Sequence, residues 1–177
     1  MVTALVIVGI AAGCGDGASE PATRAPVELR VSSPAFVEGA EIPTRFTCSG
    51  TGASPPLVWS GPLGDAAALA LVVDDPDAPK GTYVHWVVVD MPVSTARLVE
   101  GPRGAVPAGA SQAKNSGGRT GWKAPCPPSG THHYRFTIYS LNAATKLADG
   151  VDLDKALDAI DEHAIARGRL TGKATHR

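Results

Sequence analysis

The sequence has no cluster of basic residues, and this absence excludes one class of partner. Its 177 residues carry 16 Lys and Arg against 17 Asp and Glu, which gives a formal net charge of −1. A nucleic-acid-binding surface ordinarily gathers Lys and Arg on one face or along one segment. We therefore expect no nucleic-acid partner.

Cysteine is scarce as well, with three residues in the chain. Cys14, Cys48 and Cys126 have none of the close spacings that are typical of structural zinc sites. The sequence also lacks a nucleophile elbow, a cofactor-binding loop and a set of metal ligands. We therefore predict no metal, no cofactor and no enzymatic activity.

The chain has no apolar run that is long enough to cross a bilayer, which takes about 20 residues. Its longest N-terminal run, residues 3–10, fits instead the apolar region of a signal peptide. The small residues 11–13 before Cys14 resemble a bacterial lipobox, although Ala11 stands where Leu is usual and no Lys or Arg precedes the run. The missing basic residue suggests that translation starts upstream of Met1.

We expect residues 1–14 to be a lipoprotein signal peptide ending in acylated Cys14. This anchor would hold the protein on the cell membrane, facing outside the cytoplasm. A soluble N-terminus with an incidental Cys14 is the alternative. Residues 15–26 have many helix and strand breakers and are predicted to form a flexible tether, with the folded domain at 27–177. In an oxidising compartment the remaining Cys48 and Cys126 suggest one disulfide, with two separate buried thiols as the alternative.

Short apolar or alternating segments between turns dominate the domain and predict β-strands. These segments are 28–32, 45–47, 57–59, 67–73, 83–91 and 132–141. Helix is the competing interpretation of 67–73, because Ala and Leu favour it.

One helix is predicted near the C-terminus, where Leu153, Leu157, Ile160 and Ala164 recur at helical spacing. Asp152 can cap it and Gly168 can end it, with a last strand at 170–174. The whole pattern favours a mainly β domain: an antiparallel β-sandwich with Greek-key-like connections and one C-terminal helix.

Two strands are predicted to begin with a histidine on the face that points into the core. Alternation places Tyr83, His85, Val87 and Val89 on one face, and His132, Tyr134, Phe136 and Ile138 on one face of the other strand. We expect Asp77, His85 and His132 to converge under two Pro-rich loops at one end of the sandwich. Asp75 or Asp77 would hold an imidazole charged, and two cationic imidazoles with loop N–H groups would suit phosphate or sulfate.

A structural interpretation of the same residues stays open. Asp-Pro pairs are ordinary turn formers, and a histidine at a strand start is often only a hydrogen-bonded structural residue. His133 is expected on the surface, on the face opposite His132.

Several motifs resemble the phosphatidylethanolamine-binding protein family, in particular its bacterial Raf-kinase-inhibitor-like branch. They are Asp75-Pro76-Asp77-Ala78-Pro79, His85-Trp86, and the Pro127-Pro128 pair with Gly130-Thr131-His132-His133-Tyr134. Ser54-Pro55-Pro56-Leu57 with Trp59, and Gly118-Arg119-Thr120-Gly121-Trp122, add to the resemblance. It spans about residues 29–172.

The resemblance implies a pocket for phosphate-like anions, such as a phospholipid head group or a phosphorylated ligand. Carried over by motif, the pocket residues are Asp75, Asp77, Tyr83, His85, Pro127, His132 and Tyr134. The resemblance also implies a cis Ala78–Pro79 bond, because the family turns sharply there. His133 replaces the Arg of the family's usual His-Arg-Tyr, which puts an Arg-dependent surface ion pair in doubt. Inhibition of a partner protease or kinase through the pocket rim is the alternative function.

Overall fold

The structure is a computed structural model, and it describes residues 25–26, 28–102 and 104–176. The predicted signal peptide, Cys14 and nearly all of the predicted tether lie outside the described residues. In the described part of the chain, no helix is long and apolar enough to span a membrane.

The domain is mainly β, as the sequence predicts, with two antiparallel sheets and one α-helix in the described residues. The smaller sheet has the order β1-β2-β5 and the larger has the order β6-β4-β3-β7-β8. The strands are β1 Arg30–Ser32, β2 Leu57–Ser60, β3 Ala68–Asp75, β4 Tyr83–Met91, β5 Arg97–Leu98, β6 Ser111–Gln112, β7 Thr131–Leu141 and β8 Ala164–Thr175; the helix α1 is Leu153–His163.

Two apolar cores hold these layers together. The first lies between the sheets, and its buried side chains include Leu57 and Trp59 from the small sheet and Leu71 from the large one. The second lies on the other face of the large sheet, where Val72 packs with Ile160 of α1. Because β3 is covered on both faces, all of its residues are buried, which explains its continuous apolar sequence.

A β-bulge in β4 changes which side chains share a face. Asp74 pairs with Val84 but Val73 pairs with Trp86, so His85 is the extra residue. Trp86 consequently joins the core between the sheets, whereas Val87 joins the core under α1. The prediction that Val87 and Val89 share the face of His85 is therefore wrong.

Three local features differ from the sequence prediction: a predicted strand, the end of the helix and its cap. Residues 44–46 form a short 3-10 helix rather than a strand. Helix α1 ends at His163, and the chain continues directly into β8 from Ala164, so Gly168 does not end the helix. Asp152 precedes α1 without a side-chain capping bond, since its carboxylate accepts a hydrogen bond from the Lys114 ammonium at 2.6 Å.

Two further predictions concern a disulfide and a peptide bond. A disulfide joins Cys48 to Cys126 with a Cα–Cα distance of 5.3 Å, as the oxidised interpretation predicts. The expected cis Ala78–Pro79 bond is wrong, because the described residues contain no cis peptide. The turn is made instead with a trans bond, and the Gly81 N–H donates to the Ala78 carbonyl at 3.1 Å.

Candidate functional site

A pocket of about 210 Å³ lies at the end of the large sheet where β3 ends and β4 and β7 begin. Five residues of the predicted site line it: Asp75, Tyr83, His85, His132 and Tyr134. Its remaining lining residues are Ala78, Pro79, Lys123, Cys126 and Pro128. The concave site expected beneath the two Pro-rich loops is thus present in the structure.

A buried carboxylate–imidazole pair forms one wall of the pocket. His132 Nδ1 lies 2.7 Å from Asp75 Oδ2, and both side chains are less than a tenth exposed. Asp75 Oδ1 accepts the N–H of Asp77 at 2.9 Å, which fixes the carboxylate within its turn. A carboxylate only accepts, so His132 donates through Nδ1 and its Nε2 remains for a ligand.

His85 also lines the pocket, and its partner is a backbone carbonyl rather than a carboxylate. Its Nδ1 donates to the Lys123 carbonyl at 2.8 Å, because a carbonyl can only accept. Burial lowers the pKa of His85 to about 4, a larger effect than the opposing Lys123 hydrogen bond. The ring is therefore neutral at pH 7, and its Nε2 is a hydrogen-bond acceptor. The expectation of two cationic imidazoles is wrong for His85.

Aromatic rings fix the orientation of His85. The Tyr83 ring centroid lies 4.8 Å from that of His85, and Tyr134 meets His85 edge-on at 5.3 Å. Burial, with the nearby Asp75 carboxylate as the second cause, raises the pKa of Tyr134. Its hydroxyl is fully buried, and no hydrogen bond of good geometry within the described residues satisfies it. Tyr134 thus lines the pocket as a neutral phenol whose ring packs against His85.

Asp77 does not join the pocket, which corrects the predicted convergence. Its Oδ2 accepts the backbone N–H of His133 at 2.8 Å and lies 2.7 Å from His133 Nδ1. These bonds, the backbone one first, lower the pKa of Asp77. His133 is on the outer face, as predicted. It pairs with Asp77 there, although it replaces the Arg that the resembled family usually has at this position. Asp75, rather than Asp77, meets His132.

Pro127 is also misplaced by the prediction. It lines a neighbouring cavity of about 200 Å³ beside the Cys48–Cys126 disulfide, whereas Pro128 lines both that cavity and the pocket. Strand alternation gave no guidance here, because both prolines precede β7 in a loop.

Lys123 is a pocket-lining residue that sequence reasoning missed. It is exposed and lines the pocket. Its backbone makes two hydrogen bonds with His85, because the Lys123 N–H donates to the His85 carbonyl at 3.0 Å and the Lys123 carbonyl accepts from His85 Nδ1. No motif marked it in the sequence, since it sits in a Gly- and Pro-rich loop without periodicity. In the described residues, no group of three or more His, Cys, Asp or Glu is placed to hold a metal ion.

Comparison with known proteins assigns this architecture to a family. The family model described as "Phosphatidylethanolamine-binding protein" matches residues 32–175. This match covers nearly all of the described domain. The chain belongs to the phosphatidylethanolamine-binding protein family.

Relatives of this family are similar in both sequence and structure. A Mycobacterium tuberculosis protein that carries the name lipoprotein LppC is 42% identical, with 95% of this chain and 91% of the relative covered. The crystal structure of a homologue, CT736 of Chlamydia trachomatis, matches with a TM-score of 0.78 at 34% identity, covering 85% of this chain and 99% of that chain. The E. coli protein YbcL, described as a member of the mammalian family, matches with a TM-score of 0.79 at 29% identity, covering 85% of this chain and 100% of that chain.

Proposed function

We propose that this family member is a non-enzymatic binding protein whose pocket takes a phosphate monoester group. The observation that carries the proposal is the meeting of a buried Asp75–His132 pair, a neutral His85 and Lys123 around one small cavity. Each of these groups can be matched to an atom of a phosphate monoester.

The charge of the lining favours an anion. Asp75 is the only acidic residue among those that line the pocket, and its carboxylate is already paired with His132. Lys123 adds a positive charge at the exposed side of the cavity. When His132 is protonated, these three groups sum to one positive charge, which attracts a ligand of opposite sign.

The hydrogen-bonding groups favour a monoprotonated phosphate. Lys123 donates to phosphate oxygens as an ammonium, and protonated His132 donates through Nε2. His85 Nε2 accepts only, so it needs a donor on the ligand. The P–OH of a monoester monoanion supplies that donor, whereas a fully ionised phosphate cannot.

The size of the cavity sets a further limit. Sites for drug-sized ligands are usually about 300–1,000 Å³, and this pocket is about 210 Å³. It accommodates a phosphate with a short substituent, such as the phosphoethanolamine of a lipid head group, rather than acyl chains.

The ligand class is tested by calorimetric titration of the folded domain with methyl phosphate, phosphoethanolamine and ethanolamine. The proposal predicts that both phosphates bind and that ethanolamine alone does not. Binding of ethanolamine with no binding of methyl phosphate would overturn it. Vesicles with and without phosphatidylethanolamine then separate a lipid head group from a free phosphate ester as the source.

We also propose that the protein is anchored to the outer side of the cell membrane through acylated Cys14. The support is the lipobox-like segment 11–14 and the name of the Mycobacterium tuberculosis relative. Cys14→Ala should move the protein from the membrane fraction to the soluble fraction. A variant that still sediments with membranes and incorporates a palmitate analogue would contradict the anchor.

A further inference from the structure

A larger cleft lies beside the pocket, and its lining carries positive charge only. It has a volume of about 680 Å³ and is lined by Asn115, Gly117, Arg119, Thr120, Trp122 and Lys123. Two of these six residues are cationic and none is acidic. Lys123 lines both the cleft and the pocket, so the two spaces are neighbours.

The loop that forms the cleft, residues 114–123, is held in one conformation by internal hydrogen bonds. Lys114 and Thr120 form an isolated bridge across its base. The buried side chain of Asn115 accepts the N–H of Gly117 at 2.9 Å and donates to the Gly121 carbonyl at 3.0 Å. Such a loop does not need to be ordered when a ligand binds.

The same loop is fixed to the strand that carries the pocket residues. Ser116 exchanges two bonds with Val84 of β4: its N–H donates to the Val84 carbonyl at 2.9 Å, and its Oγ accepts the Val84 N–H at 2.8 Å. Gly117 passes so close to Tyr83 that a Cβ there would lie 2.7 Å from the Tyr83 hydroxyl. The cleft and the pocket are therefore held at a fixed distance from each other.

The cations of the cleft have no acidic partners within the described residues, whereas three other cations of the domain are paired. Lys114 pairs with Asp152, Arg45 with Glu100, and Arg135 with Asp74. Arg119 and Lys123 are exposed and have no salt bridge or side-chain hydrogen bond within the described residues. The guanidinium of Arg119 is thus available to an external anion, which it can bind through two parallel N–H bonds.

We propose that the cleft is a second anion subsite, and that the physiological ligand carries two anionic groups. The phosphate monoester occupies the pocket, Lys123 lies between the two groups, and Arg119 binds the second phosphate or carboxylate. This inference rests on the proposed phosphate pocket and adds the class of ligand: a small bis-anionic phosphate ester.

The test is a calorimetric comparison of linear alkanediol bisphosphates, from three to eight carbons, with the monophosphate of each length. At physiological ionic strength, long-range attraction between exposed charges is screened beyond about 8 Å. At the length that spans the two subsites, the bisphosphate should bind about tenfold more tightly than its monophosphate. Arg119→Gln should remove that advantage and leave monophosphate binding unchanged.

Arg97→Gln is the matched control, because Arg97 is exposed on β5 and lines neither the cleft nor the pocket. It removes the same charge and should keep the bisphosphate advantage. If monophosphates bind but no bisphosphate binds more tightly than the monophosphate of its length, the second subsite is overturned and the phosphate pocket is not. An advantage that survives Arg119→Gln, or is lost equally in Arg97→Gln, would also overturn it. No binding of any monophosphate would overturn both proposals.

Discussion

At the scale of the residue, the neutral state of His85 makes a prediction about ligand protonation. The second pKa of a phosphate monoester is about 6, so its P–OH form becomes dominant as the pH falls. In the proposed phosphate complex His85 Nε2 accepts from this P–OH, so affinity for methyl phosphate should rise from about pH 8 to about pH 5. Dimethyl phosphate does not gain a proton in this range and serves as the control. Equal pH slopes for the two ligands in calorimetric titration would contradict the acceptor role.

His85 also makes a prediction about stability. Its pKa is lowered to about 4 in the folded protein, so the unfolded chain binds more protons as the pH falls from about 6.5 to about 4. The contribution of His85 to the free energy of unfolding is therefore complete near neutral pH. It is lost on acidification through that window, by about 3 kcal/mol at most. His85→Asn keeps a donor for the Lys123 carbonyl and should show a smaller loss in urea unfolding. An identical loss in both proteins would contradict burial of a neutral His85.

The residues of the site were only partly predictable, and the reasons are local. Alternation along β7 is regular, so His132 and Tyr134 were placed correctly on the inner face. The bulge at His85 cannot be inferred from alternation, because it depends on the pairing with β3. The choice between Asp75 and Asp77 depended on the turn at Pro76, which directs one carboxylate inward and the other toward His133.

At the scale of the element, Gly168 in β8 makes a packing prediction. A Cβ there would lie 2.7 Å from the carbonyl carbon of Leu29, so the entering N-terminal segment crosses β8 where only glycine fits. Gly168→Ala must displace backbone and should lower the free energy of unfolding by about 3 kcal/mol. A change below about 0.5 kcal/mol in urea unfolding would show that the crossing is not tightly packed.

The sequence pattern explains why the helix prediction extends into β8 as far as Gly168. The periodicity from Leu153 to Ile160 is helical, and Ala164 extends it by one turn, so the sequence has no signal to stop at His163. The strand is stabilised instead by pairing along nearly its whole length with β7, a non-local interaction. Gly168 therefore serves close backbone approach and not helix termination.

At the scale of the whole molecule, the Cys48–Cys126 disulfide closes a long segment of the chain. The two residues are 78 apart in sequence, and the chain-entropy model gives about 4.5 kcal/mol for a loop of this length. A Cys48→Ser, Cys126→Ser double variant should lose about that free energy of unfolding. Reducing agent should lower wild-type stability to the level of the variant and leave the variant unchanged. Equal stability of the oxidised wild type and the variant would contradict this role.

The architecture was easier to predict than the site, because it depends on many residues at once. The strong strands at 67–73, 83–91 and 132–141 correspond to β3, β4 and β7, which form the centre of the large sheet. The two-residue edge strands β5 and β6 are too short to leave a pattern in the sequence. Lys123 and the cleft beside it depend on a loop whose conformation is set by hydrogen bonds to β4, and no local pattern encodes that placement.

The most direct test of the phosphate pocket compares two adjacent histidines that have the same chemistry. His132 pairs with Asp75 inside the pocket at 2.7 Å, and His133 pairs with Asp77 outside it at the same distance. Methyl phosphate is titrated by calorimetry into wild type, His132→Gln and His133→Gln, each checked for folding by circular dichroism. His132→Gln should weaken binding at least about tenfold, and His133→Gln should leave it unchanged. Unchanged affinity in His132→Gln, or an equal loss in both variants, would contradict a phosphate pocket built on Asp75 and His132.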